Sequence, residues 1–216
     1  AMQPAFGQAC VILFGWGVMY FVGGASMLLL IGMAALTVAA GTLAYANSEH
    51  FARRIDGFLS PDVDPTTQLG YATNAIREGG LFGVGLGEGE VKWSLPDAHT
   101  DFIIAVAAEE YGTVLVLVII ALYAAIVLRA FLRLMRERDP FIRLAGTGLA
   151  AMFGVQAMIN IGVAVRLLPA KGMTLPFVSY GGSSLIAGGI ALGILLAFTR
   201  TRPQGEIGDI LKGRKS

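Results

Sequence analysis

Charge is scarce in this chain. Asp, Glu, Lys and Arg make up 14% of its 216 residues, where a soluble domain carries about 25%. With 55% hydrophobic residues and a mean hydropathy of +0.68, the shortfall excludes an ordinary water-soluble globule and points to a membrane protein. Cysteine is nearly absent. The one thiol, Cys10, lies in an apolar run with no second cysteine, so an internal disulfide is excluded. There is no zinc-ligand spacing, no paired-histidine motif, no nucleophile elbow and no basic face for nucleic acid. Ala1-Met2-Gln3-Pro4 has neither a basic stretch nor a small-residue cleavage site, so it does not read as a signal peptide but as the interior of a longer protein. The run Gly83-Val-Gly85-Leu-Gly87-Glu-Gly89 is not a phosphate loop, because no strand precedes it and no Lys-Ser or Lys-Thr follows; it reads as a flexible loop.

Long apolar segments are what the chain has in abundance. Five spans are expected, at about 6–24, 27–46, 102–128, 144–165 and 177–199, each near the roughly 20 residues that cross a bilayer. They are rich in Gly and Ala, which lets helices approach closely in lipid. The fold class is therefore all-α, a polytopic helical membrane protein with about five transmembrane helices and a structured exoplasmic loop. Residues 1–46 carry two spans, 47–101 the loop, 102–200 three spans and 201–216 a polar tail. Charge sets the sidedness. Arg129, Arg133, Arg136, Arg138 and Arg143 crowd the 129–143 connection, and Arg200, Arg202, Lys212, Arg214 and Lys215 the tail, which puts both in the cytoplasm. The 47–101 loop, with nine carboxylates against Arg53, Arg54, Arg77 and Lys92, then lies outside with the shorter 166–176 loop.

Two short helices are expected in the long loop. Phe51, Ile55, Phe58 and Leu59 share one face, as suits a helix lying in the membrane interface. Asp64-Pro65 reads as the start of a second helix, Gly79-Gly80 as its stop, and Leu69, Ala72 and Ile76 as its apolar stripe. Ionisable groups then gather where the third span begins. His99, Thr100 and Asp101 precede it, and Glu109 and Glu110 lie inside it; such groups at the lip of a hydrophobic span are costly and call for a functional reason. Asp101 has two readings, a helix N-cap or a proton acceptor. Gln156 and Asn160 share a face of the fourth span, where helix–helix hydrogen bonding is the favoured role. In the second outside loop, Arg166 and Lys171 supply cations and Ser179 and Ser183 hydroxyls, while Pro176 and Gly181-Gly182 disfavour regular helix.

Pro96-Asp-Ala-His-Thr-Asp-Phe102, the Glu109-Glu110-x-Gly112 that follows it, and Leu175-Pro-Phe-Val-Ser-Tyr-Gly-Gly-Ser-Ser184 together resemble the signatures of the SEDS family (shape, elongation, division and sporulation). Gln3-Pro4-x-Phe6-Gly7 and Arg54-x-x-x-Phe58-Leu-x-Pro61 fit the same pattern, and Asp97-Ala98 and Lys171-Gly-Met-Thr are more similar to its cell-division branch than to its elongation branch. The resemblance covers nearly the whole chain but only the last five of the family's usual ten or so spans. Two positions depart from it: Ala5 where Asp is usual and Tyr111 where Leu is usual. It implies a peptidoglycan glycosyltransferase acting on lipid II, with Asp101 as catalytic base and His99, Thr100, Glu110, Lys171, Ser179 and Ser183 as substrate-binding residues. The departing undecaprenyl pyrophosphate needs positive charge, from Lys171 and from a divalent cation or an arginine of the missing half; no metal-ligating residues are assigned. The implied partners are a class B penicillin-binding transpeptidase and other divisome proteins, with no nucleic acid, and the implied place is the bacterial inner membrane at the division septum. A lipid II flippase or a non-catalytic scaffold is the alternative.

Overall fold

A computed structural model describes residues 6–60, 65–169 and 172–200, and all its regular structure is helical. The elements are α1 (Phe6–Val22), α2 (Met27–Asn47), α3 (Glu49–Leu59), α4 (Gln68–Gly79), α5 (Val91–Ser94), α6 (Ile103–Leu134), α7 (Pro140–Ala164) and α8 (Gly182–Thr199). Four of them, α2, α6, α7 and α8, are long and apolar enough to cross a bilayer, and α1 is a shorter apolar helix. A helix thus stands at each of the five expected spans, four of them of spanning length.

Helix α7 is the hub. Of its most apolar stretch 61% is buried, against 11% for α6, 6% for α8 and none for α2, and α1, α6 and α8 all pack on it. Its small residues make this possible: Gly146, Gly148, Ala150, Ala151 and Ala157 are buried at the contacts, so neighbouring backbones come close and dispersion replaces the hydrophobic driving force that lipid removes. The lipid-facing helices keep large apolar side chains outward, such as Leu28 and Ile31 on α2 and Ile186 and Ile190 on α8.

Several boundaries differ from the sequence reading. Helix α6 runs six residues past the expected 128, so Arg129 and Arg133 sit on its last turns and the connection to α7 shrinks to 135–139. Arginine is a good helix former, and its long stem lets the charge leave the apolar layer. Helix α7 starts at Pro140, four residues early, because the Asp139 carboxylate accepts from the N–H groups of Phe141 (2.9 Å) and Ile142 (3.3 Å). Helix α8 starts at Gly182 rather than 177. Helix α4 begins at Gln68, capped by Thr67 accepting from the Gly70 N–H at 3.2 Å; the expected Asp64 cap lies outside the described residues, as do Lys171 and the 201–216 tail. The expected stop at Gly79-Gly80 holds.

The glycine-rich run after α4 is not a flexible tether. Helix α6 breaks at Gly112 (φ 81°, ψ 174°), and a break strands backbone groups that lipid cannot satisfy. The glycine loop satisfies them. The Glu109 and Glu110 carbonyls accept from the N–H groups of Val84 (2.9 Å) and Gly85 (3.2 Å), while the N–H groups of Thr113 and Val114 donate to the Gly80 (2.9 Å) and Leu81 (3.3 Å) carbonyls. Backbone meets backbone so closely that a Cβ on Gly83 would lie 2.1 Å from the Glu110 carbonyl oxygen.

Candidate active site

The Pro96–Asp101 segment is a turn that brings its carbonyls out in succession, and each of the last three is caught by a different group. The His99 carbonyl accepts from the Tyr180 N–H at 2.9 Å. The Thr100 carbonyl accepts from the Ser179 hydroxyl, whose oxygen in turn accepts from the Leu175 N–H at 2.8 Å. The Asp101 carbonyl accepts from the Asn160 side-chain amide at 2.9 Å, and the same nitrogen donates to the Met173 carbonyl at 2.6 Å. One turn further down α7, the Gln156 amide donates to the Thr174 carbonyl at 3.0 Å. The two loops expected on one side of the membrane are therefore stitched together through α7. The same bonds explain why α8 starts late: Ser179 and Tyr180 bond the 96–101 turn instead of continuing a helix.

Among the described residues this clamp uses the Asp101 carbonyl and not its side chain. The residue at the N-cap of α6 is Phe102, with no side-chain cap bond, so the cap reading of Asp101 does not apply. Among the described residues no group donates a hydrogen bond to its carboxylate, which is partly exposed. One oxygen faces Gly172: a Cβ there would lie 3.1 Å from Asp101 Oδ2, so the glycine lets the second loop pass beside the carboxyl. Burial first, and the negative charge of Asp97 second, push Asp101 above the ordinary carboxylate range. A carboxylate of raised pKa, on a seated backbone and without a hydrogen-bond donor among the described residues, is suited to accept a proton.

The family profile described as cell cycle protein, of the FtsW, RodA and SpoVE type, matches residues 1–204. The chain belongs to that family. Among its relatives, a protein of Caulobacter vibrioides is 43% identical over 215 residues, or 99% of this chain and 55% of the relative, and one of Geobacter metallireducens is 42% identical over 191 residues, 87% and 51%. Both carry the name probable peptidoglycan glycosyltransferase FtsW. Among solved structures, one described as structural coordination of polymerization and crosslinking by a peptidoglycan synthase complex aligns with TM-score 0.68 at 35% identity, over 90% of this chain and 56% of that one. A single-site variant of the rod shape determining protein RodA of Thermus thermophilus aligns with TM-score 0.57 at 33% identity, over 93% and 52%. The chain spans about half the length of the curated relatives it matches. The expected polytopic all-α architecture is the architecture of the FtsW, RodA and SpoVE family.

The remaining candidate residues of this FtsW, RodA and SpoVE family member take distinct places. His99 is exposed beside Tyr180, and Thr100 donates its hydroxyl to the Asp97 carbonyl at 3.2 Å. Ser183 is exposed on the first turn of α8. Ser179 is buried, with both hydroxyl functions spent on backbone. Glu110 forms an ion pair with Lys92, both side chains largely buried. Glu109 is fully buried and accepts from the Val91 (2.8 Å) and Lys92 (3.1 Å) N–H groups of α5. Lys171 lies outside the described residues, one position before Gly172. No group of three or more His, Cys, Asp or Glu side chains gathers as a metal cage among the described residues. Among the described residues three non-glycine residues have positive φ, Asp97 (57°), Arg166 (58°) and Phe177 (66°), and all three lie in the two loops that meet here. Such strain concentrates where surrounding bonds impose it for function.

Sequence reasoning placed Asp101 but missed the groups that hold it. Asn160 had been read as a helix–helix bond, and the partner of Glu110, Lys92, had not been singled out. Its signal was only that of one cation among four in an acidic loop.

Proposed function

We propose that this chain belongs to a peptidoglycan glycosyltransferase that polymerises lipid II on the exoplasmic face of the bacterial inner membrane, at the division septum. In the reaction, the GlcNAc 4-hydroxyl of the acceptor loses its proton to the Asp101 carboxylate while its oxygen bonds the anomeric carbon of the growing chain's MurNAc. The bond from that carbon to the diphosphate oxygen breaks, and its electron pair leaves with undecaprenyl pyrophosphate, which gains negative charge. Lys171 is our candidate for meeting that charge. A divalent cation is a second source. His99, Thr100 and Ser183 are our candidates for sugar and phosphate contacts. Glu110 and Ser179 contribute through the scaffold that their observed bonds build. A class B penicillin-binding transpeptidase is the expected partner, a reading supported by the structural likeness to a synthase complex that couples polymerisation and crosslinking.

One observation carries the proposal: the turn is clamped at the carbonyls of His99, Thr100 and Asp101, while no group among the described residues bonds the Asp101 carboxylate. The test is lipid II polymerisation by the purified full-length protein. Asp101→Asn should lower it by about 10²-fold or more while folding and transpeptidase binding persist. Normal glycan strands from that variant would sink the base assignment. Lipid translocation in vesicles without glycan products would favour a flippase instead.

A further inference from the structure

We propose that Glu109 is a positioning residue for Asp101, acting through α5; the proposal rests on Asp101 being the base. The turn that carries Asp101 is held at two ends. Its late carbonyls, 99 to 101, are fixed by α7 and by residues 179–180. Its beginning follows α5, and α5 is fastened by Glu109. The two carboxylate oxygens of Glu109 accept from the first two N–H groups of that helix, Val91 at 2.8 Å and Lys92 at 3.1 Å. Glu109 is fully buried, on the stretch of α6 just before the Gly112 break.

Two features show that the site is built for this bond. Gly89 lies against the carboxylate so closely that a Cβ there would come within 2.8 Å of Glu109 Cδ. The neighbouring cation, Lys92 Nζ, goes to Glu110 instead, so the Glu109 charge is met by backbone donors. A buried carboxylate is costly unless each oxygen is bonded. Packing alone would be served by an apolar side chain of the same size. Beyond α5, Leu95, Ala98 and Phe102 are buried together against Ala72 and Ala75 of α4 and Ala105 and Val106 of α6, so a shift of α5 passes into the turn rather than being absorbed. Glu109 thus sets where the turn begins, and Asn160 and Ser179 set where it ends.

The test compares Glu109→Ala, Glu109→Gln and Gly89→Ala in the full-length protein, with lipid II polymerisation and hydrogen exchange read on each. Glu109→Ala should lower kcat roughly 100-fold, with KM for lipid II changed by no more than about threefold, because orientation rather than binding is lost. Glu109→Gln keeps one acceptor oxygen and should recover part of the rate. Gly89→Ala leaves α6 intact but displaces the carboxylate, so it should reproduce the loss even where Glu109→Ala proves hard to fold. Amide exchange should quicken about tenfold or more at Val91 and Lys92 and across 95–101, while 150–157 in α7 stays protected. Unchanged kcat in both Ala variants, or unchanged exchange across 91–101, would overturn the proposal. Asp101→Asn is the separate control: activity there refutes the base itself, whatever the exchange data show.

Discussion

Replacing Asn160 with leucine isolates the clamp on Asp101. The two residues are similar in volume, so no large cavity opens. What is lost is one nitrogen whose two hydrogens serve the Asp101 carbonyl at 2.9 Å and the Met173 carbonyl at 2.6 Å. Each carbonyl left without a donor in a buried place costs about 1–3 kcal/mol. Met173 is buried, and Asp101 is partly exposed, so its carbonyl regains water in part. The sum therefore falls toward the low end, about 2–3 kcal/mol. At about 1.4 kcal/mol per tenfold, the seated turn becomes at least some 30-fold less favoured relative to an unseated one. Hydrogen exchange in nanodiscs should quicken by about that factor at 97–102 and 172–176, and polymerisation should fall in parallel. Asn160→Asp should be worse, since it sets a carboxylate oxygen against two carbonyl oxygens. Exchange in Asn160→Leu within twofold of the native protein would refute the reasoning.

Other predictions use the same structure. Burial and Asp97 raise the Asp101 pKa, and a base must be ionised, so the acid limb of kcat should lie at higher pH than an ordinary aspartate gives; Asp97→Asn removes the repulsion and should move that limb down, and an unmoved or upward limb would contradict the assignment. The folded carboxyl holds its proton more tightly than the unfolded one. Its contribution to stability therefore falls as pH rises from the ordinary value through the raised one, and the inactive Asp101→Asn should melt no lower than the native protein at neutral pH. A markedly lower melting temperature would reveal a structural role for the carboxylate. Gly83→Ala places a Cβ 2.1 Å from the Glu110 carbonyl oxygen at a φ of +82° and should free the glycine loop at a cost of about 3 kcal/mol or more. Trypsin cleavage after Lys92, whose side chain is only 11% exposed, should then accelerate, and unchanged cleavage would show that the loop accommodates the methyl group.

Hydropathy alone located the membrane-crossing helices, because a segment that must cross hydrocarbon has to be apolar along about 20 residues whatever it packs against. The Phe51–Leu59 face and the Gly79-Gly80 stop were legible for similarly local reasons, a helical stripe and a residue free to take positive φ. Asp101 stood out because an acidic group at the lip of an apolar span carries a cost visible in the sequence. The division of labour around it was not visible. Glu109 and Glu110 are neighbours in the chain, yet one fastens α5 through its backbone N–H groups and the other pairs with Lys92. Ser179 looks like any loop hydroxyl until its bonds to Thr100 and Leu175 are seen. The glycine run looked flexible because nothing local shows that the break at Gly112 needs its amides. Hydrophobic span and charge sidedness are properties of a segment and its solvent, and so they are written in consecutive residues. The seat of the carboxylate is made by two side-chain donors, Asn160 and Ser179, reaching backbone carbonyls 59 and 79 residues away, and every residue carries such a carbonyl, so only the packed helices select which of them is met.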